Sequence, residues 1–247
     1  MLISQPLKTI IVCIILIIPL QKCFCQFTDT TPYYININSN GSINSTNDGN
    51  SFVFSNNFRF SVSKKKVTIN TVNSYLYGMQ SGELINNDFS TMNDINLFKS
   101  VRSVYYWGLL GLDKSISLQV DNRLQAGAGL GYHIFNRETL MVTITDGPIY
   151  EYNDLFNRDA YQTVRNSFRL KFFISINGTT RLEGSTLVQN SLNNQNDYII
   201  NSNTGFSFLF FKWIRFNTSL VYNRVNINAR ENLLLNFGII YERYFQY

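Results

Sequence analysis

Cysteine, histidine and proline are scarce in this chain of 247 residues, which has three, one and four of them. The three cysteines, Cys13, Cys23 and Cys25, all lie in the first 25 residues, so the rest of the chain can form neither a disulfide nor a thiolate metal site. The single histidine, His133, cannot supply a histidine cluster. The sequence therefore predicts no metal and no other cofactor.

Long hydrophobic runs are missing as well. The longest run follows Lys8 and ends at Ile18, about 10 residues, whereas a transmembrane helix requires roughly 20. A basic residue, a short apolar core and a polar segment that ends in small side chains are the regions of a signal peptide. We therefore predict that residues 1–25 are a secretion signal, cleaved before Gln26, and that residues 26–247 form one mature domain.

A lipoprotein is the alternative for this leader, with Cys23 as the lipidated residue. Lys22 argues against it because lipidation sites carry a small residue at that position. Loss of Lys8 and Lys22 with the leader lowers the formal net charge by two, from +5 to +3, and the remaining basic residues are spread along the chain. No basic patch results, so the sequence excludes nucleic acid as a partner.

Aromatic residues, asparagine and serine are abundant instead. Phenylalanine and tyrosine number 20 and 15, whereas alanine and glutamate are scarce. Residues that favour helices are therefore depleted, and residues that fit a pleated sheet are enriched. The composition predicts an all-β protein.

Apolar and polar residues alternate with a period of two along most of the chain. A strand with one apolar and one polar face suits either a membrane barrel or a water-soluble sandwich. The membrane barrel is favoured because the apolar faces are strongly aromatic and aliphatic, and because arginine and lysine stay on the opposite face. In the clearest segment, 164–176, Val164, Phe168, Leu170, Phe172, Ile174 and Ile176 oppose Arg165, Ser167, Arg169, Lys171 and Ser175.

Twelve such segments follow one another, and we interpret them as an antiparallel up-and-down transmembrane β-barrel with about 12 strands. An even number places both chain ends on the periplasmic side, as in bacterial single-chain barrels. The predicted strands are 33–38, 51–62, 67–78, 88–98, 104–112, 118–134, 139–150, 163–176, 179–190, 198–211, 214–226 and 232–245.

The connections between these segments fall into two classes. Three connections from odd to even strands, 39–50, 79–87 and 151–162, are long and polar, whereas those from even to odd strands are short. Membrane barrels have long external loops and short periplasmic turns, and the two classes fit this arrangement. Tyr247, after an apolar strand, resembles the terminal aromatic residue that the barrel-assembly machinery reads. We expect a monomer in the cell outer membrane, with outer-membrane lipid and the barrel-assembly machinery as partners.

Charged residues on the predicted inward faces are candidates for the lining of the lumen. Two interpretations fit these charges: a structural network of paired charges, or a lining that selects anions. We favour the structural network because twelve strands enclose only a modest lumen. The candidates are Arg59, Asp121, Arg123, Arg165, Arg169, Lys171, Arg181, Glu183 and Arg215.

Two features invite an enzymatic interpretation. Glycines at 127, 129 and 131 suggest a nucleotide loop, but they alternate within a strand, where small residues let the wall curve or let another group approach closely. A lipid-active outer-membrane enzyme with His133 as its base is the second possibility. His133 is predicted to point inward, however, and no serine is next to it in sequence.

The stretch from Gly127 to Ile134 (GAGLGYHI), followed by an apolar strand and then Gly147-Pro148-Ile149-Tyr150-Glu151, resembles the family of salt-induced outer-membrane proteins, a domain of unknown function numbered 481. The resemblance covers roughly residues 33–245 and implies an outer-membrane barrel without an agreed activity. The residue patterns and the family resemblance together predict a non-enzymatic barrel that acts as a small-solute channel or as a structural protein in envelope stress. The lipid-active enzyme is the alternative.

Overall fold

The computed structural model describes residues 32–46, 49–64, 66–98, 103–156 and 158–246. The predicted signal peptide and Tyr247 lie outside these residues. Within them, no helix has the length and apolar character needed to cross a membrane.

Twelve antiparallel strands form one closed barrel, in which each strand pairs with its neighbours in sequence and β1 pairs with β12. The predicted fold class and strand number are confirmed. The only helix in the described part of the chain is a single 3-10 turn, Asn226–Asn228. The strands are β1 Tyr33–Thr46, β2 Gly49–Lys64, β3 Val67–Gln80, β4 Glu83–Phe98, β5 Val104–Ser115, β6 Val120–Asn136, β7 Leu140–Leu155, β8 Arg158–Ile176, β9 Thr180–Ser191, β10 Tyr198–Phe211, β11 Ile214–Val225 and β12 Arg230–Phe245.

The prediction of long loops is wrong. The segments 39–50, 79–87 and 151–162 are mostly strand, because antiparallel pairing continues through their polar residues almost to the turns. The β3–β4 turn consists of Ser81 and Gly82, both at positive φ, as a two-residue hairpin requires. Connection lengths therefore do not distinguish the two ends of the barrel. We call the end that holds Tyr33 and Phe245 proximal and the opposite end distal.

The side chains are distributed as in a membrane barrel. Large apolar residues such as Leu170, Phe216 and Phe237 are exposed on the outer face, whereas many buried side chains are polar or charged. A water-soluble sandwich would instead bury its apolar faces. The burial pattern of β8, which alternates strictly from Gln162 to Leu170, confirms the two faces predicted for this strand.

The glycines of β6 face the interior and allow aromatic rings to pack against the wall. A Cβ on Gly131 would overlap the ring of Tyr105, and one on Gly129 would lie 2.8 Å from Cε2 of Trp107. The close approach predicted for the glycines is made by rings of β5 at Gly131 and Gly129 and by Ile149 of β7 at Gly127; the backbone of β7 also approaches Gly129. The two rings join Leu109 in the main apolar cluster of the interior.

Candidate functional site in the barrel interior

A buried network of charges fills the distal half of the interior along β6 to β9. Arg165 is fully buried and lies 2.7 Å from Glu151 and 2.9 Å from Asp197. Arg123 donates to Asn153 at 2.8 Å and lies 3.8 Å from Glu151. Each of these guanidinium groups therefore has a carboxylate beside it, as a buried cation requires.

A second network lies at the proximal end and is centred on Glu242. Its carboxylate accepts hydrogen bonds from Arg181 at 2.7 Å, from Arg215 at 2.8 Å and from the hydroxyl of Tyr34 at 3.2 Å. Arg215 also donates to the carbonyl oxygen of Thr179 at 3.0 Å. These residues tie β1, β9, β11 and β12 together across the interior.

A third group crosses the lumen between the two networks. Asp94 on β4 lies 3.2 Å from Arg169 and 3.8 Å from Lys171, both on β8. Since β4 and β8 are not neighbours in the barrel, these ion pairs bridge the lumen instead of running along the wall.

Three predicted interior charges lie elsewhere. Arg59 faces inward but is exposed, with no salt bridge in the described part of the chain, although it interacts electrostatically with Asp94. Glu183 faces inward and is half-buried. Asp121 does not join the interior charges: a bulge between Val120 and Asn122 displaces it, and it pairs with Lys114 at 2.7 Å on the exposed surface. Strict alternation predicts the wrong position for Asp121 because a bulge adds a residue to one strand.

The inward side of β1 to β3 differs from the charged half. Inward side chains at 53–59 and 68–76, and Asn36 and Asn38 on β1, all retain some exposure, whereas most inward side chains of β5 to β8 are buried. Tyr34, Asn40 and Ser61, which also face inward on β1 and β2, are buried. The accessible surface is mainly amide and hydroxyl groups. We call it the polar wall and define it by Asn36 and Asn38 on β1, Ser55 and Asn57 on β2, and Asn70 and Ser74 on β3.

The distal mouth is partly covered by the β5–β6 connection, residues 116–119, which we call the mouth turn. Ser117 in this turn accepts a hydrogen bond from Asn232 at 2.6 Å. Its backbone N–H and its hydroxyl both donate to the carboxylate of Asp88. Asn228 donates to the carbonyl oxygen of Leu118 at 2.9 Å. No pattern in the sequence predicts the contacts of Asn228 and Asn232, because each joins segments more than a hundred residues apart.

Among the described residues, the side chain of His133 contacts two aromatic rings and one threonine hydroxyl. Its ring stacks on those of Tyr105 and Phe98 at 4.9 and 6.0 Å, and its Nδ1 lies 2.9 Å from Oγ1 of Thr143. The alternative of a lipid-active enzyme is therefore not supported. Nor do the residues that the structure describes include a cluster of three or more side chains able to hold a metal ion.

Comparison with protein families gives one match, to the family described as "Protein of unknown function, DUF481", over residues 39–242. The description states no activity and does not mention salt induction. No curated protein has a significantly similar sequence.

Solved structures with a similar fold are outer-membrane barrels. An outer membrane channel from Pseudomonas putida F1 has a TM-score of 0.52 at 11% identity, with 91% of this chain and 99% of that chain covered. The NanC porin has a TM-score of 0.52 at 11% identity, with coverage of 85% and 98%. The translocator domain of the autotransporter NalP from Neisseria meningitidis has a TM-score of 0.50 at 11% identity, with coverage of 89% and 90%. At this identity the likeness shows a fold of the outer-membrane porin and channel type.

Proposed function

We infer that this chain, which belongs to the DUF481 family of proteins of unknown function, is a channel for small hydrophilic solutes in the outer membrane. The observation that carries the proposal is the polar wall. Its side chains keep contact with solvent inside a closed barrel whose outer face is apolar. A barrel that served only as a scaffold would have no need of a solvated interior surface.

The buried arginines have a structural role in this proposal. Arg165, Arg181 and Arg215 are almost inaccessible to solvent, and each has a carboxylate within hydrogen-bonding distance. Buried pairs of this kind hold nearby strands of the wall in fixed positions, and breaking one leaves an uncompensated charge. They narrow the lumen, so that solute passes along β1 to β3.

The proposal assigns no catalytic role to the barrel, since the buried charged groups described above lie beside groups of opposite charge and His133 lies among aromatic rings. Location in the outer membrane is part of the same proposal. It is supported by the predicted leader, the apolar outer face and the fold shared with porins.

Conductance of the purified barrel in planar lipid bilayers tests this function. We expect discrete conductance steps in KCl and a clearly smaller conductance for Ser74→Trp, which places a large ring on the polar wall. Asn73→Trp is the matched control because Asn73 is adjacent in sequence but faces outward on β3. A folded barrel that inserts and never conducts would refute the channel and favour a structural role.

A further inference from the structure

We propose that the solutes admitted by this barrel are uncharged and polyhydroxylated, that is, small neutral carbohydrates recognised by the polar wall. The inference rests on the proposed channel function and names its substrate class. It follows from two independent features of the interior: a carboxylate lies beside each buried arginine, and the accessible surface of the polar wall is made of uncharged amide and hydroxyl groups.

The buried arginines of the interior lie beside carboxylates. Among the described residues, each buried arginine has a carboxylate within 4.0 Å: Arg123 and Arg165 share Glu151, Arg169 has Asp94, and Arg181 and Arg215 share Glu242. An anion-selective path would need a row of accessible cations along the lumen. On the inward faces of β1 to β3, Arg59 is the one such cation, and the remaining accessible groups are mainly amides and hydroxyls.

Amide and hydroxyl side chains suit a sugar because each of them can both donate and accept hydrogen bonds, as the hydroxyls of a sugar do. The paired strands place Asn38, Asn57 and Ser74 side by side across β1, β2 and β3. Ser74 donates to Oδ1 of Asn57 at 2.6 Å, and the amide nitrogen of Asn57 donates to Oγ of Ser55 at 3.5 Å. These three residues form a lateral row of uncharged groups at mid-strand.

Some interior polar atoms have no hydrogen-bond partner within the described residues. Among them are Oδ1 of Asn38, Oδ1 of Asn236 and Oγ of Ser207. Asn236 and Ser207 are each 2% exposed, and their strands, β12 and β10, lie on the side of the barrel that adjoins β1. An unsatisfied buried acceptor is costly, so an ordered water molecule is favoured at these enclosed atoms. A neutral polyol that moves along the polar wall brings no charge into this interior.

Swelling of liposomes that contain the purified barrel tests the substrate class. Glucose, gluconate and glucosamine are similar in size and differ in charge, so we expect the fastest swelling with glucose. In a KCl gradient the reversal potential should stay close to zero. Faster swelling with gluconate, or a reversal potential near the chloride limit, would overturn the inference in favour of anion selection.

Variants of the polar wall provide the second measurement. Asn38→Leu combined with Asn57→Leu should lower glucose-driven swelling severalfold while KCl conductance stays within twofold. Asn73→Leu, on the outer face of β3, is the control and should change neither. A wild-type barrel that conducts KCl but admits glucose no faster than the charged sugars would refute only the substrate class. A wild-type barrel that does not conduct at all would refute the channel function itself.

Discussion

Asn232 on β12 donates a hydrogen bond of 2.6 Å to Oγ of Ser117 in the mouth turn, and the two residues come from opposite walls of the barrel. In the ring of twelve strands, β6, which follows the mouth turn, lies as far from β12 as any strand can. The bond, together with that of Asn228, holds the turn over the distal opening. The covering of the mouth is thus a tertiary contact and not a property of the turn itself.

Asn232→Val should loosen the mouth turn. Loss of a hydrogen bond of this kind costs about 1 kcal/mol, which corresponds to roughly fivefold faster amide exchange if the turn opens locally. Hydrogen exchange at Ser117 and Leu118 measures the effect. Asn203→Val, at an exposed position on β10, is the control. Equal exchange rates in the two variants would show that Asp88 and Asn228 are sufficient to hold the turn.

Arg165→Met should destabilise the barrel strongly. The substitution leaves Glu151 and Asp197 without their shared cation in a buried site, and breaking a buried pair in this way costs about 3–5 kcal/mol. Urea unfolding in lipid vesicles, followed by tryptophan fluorescence, gives the free energy of unfolding. Arg224→Met, which removes an exposed pair with Glu231, should have little effect. Similar losses in both variants would contradict the assignment of the distal network as structural.

Gly131→Ala should lower the thermal stability of the folded barrel. The added methyl group would overlap the ring of Tyr105, and overpacking of this kind costs about 1–3 kcal/mol. Gly205→Ala is the matched control, since the nearest atom to its new methyl group would be 3.4 Å away. The melting temperature and the near-UV circular dichroism of the two variants provide the comparison. An unchanged melting temperature of the Gly131→Ala barrel would mean that the ring of Tyr105 can shift to accommodate the added methyl group.

Leu170→Arg should impair folding in lipid. Leu170 is exposed on the outer face of β8, and an arginine facing lipid near the midplane of the bilayer costs roughly 2–4 kcal/mol. Leu192→Arg is the control because Leu192 is exposed in the β9–β10 connection. The shift in gel mobility on heating reports the folded fraction. If the two variants fold equally well in bilayers, the outer face of β8 does not contact lipid.

Part of the polar interior could be predicted from the sequence, and part could not. The alternation in β8 predicts that Arg165 and Arg169 point inward, because side chains of a strand alternate between two faces. It does not indicate that Arg169 meets Asp94 across the lumen, which depends on the distance between non-neighbouring strands. The error at Asp121 has a local cause, the bulge at the start of β6.

The sequence by itself determined the strand number and the two faces of regular strands such as β8. These features depend on local periodicity and on the conformational preferences of single residues. Only the tertiary structure decided how far the strands extend, which charges are paired, that the polar wall remains accessible and that Asn232 reaches Ser117. Those properties arise from barrel closure, which brings distant strands to a common interior that no local pattern encodes.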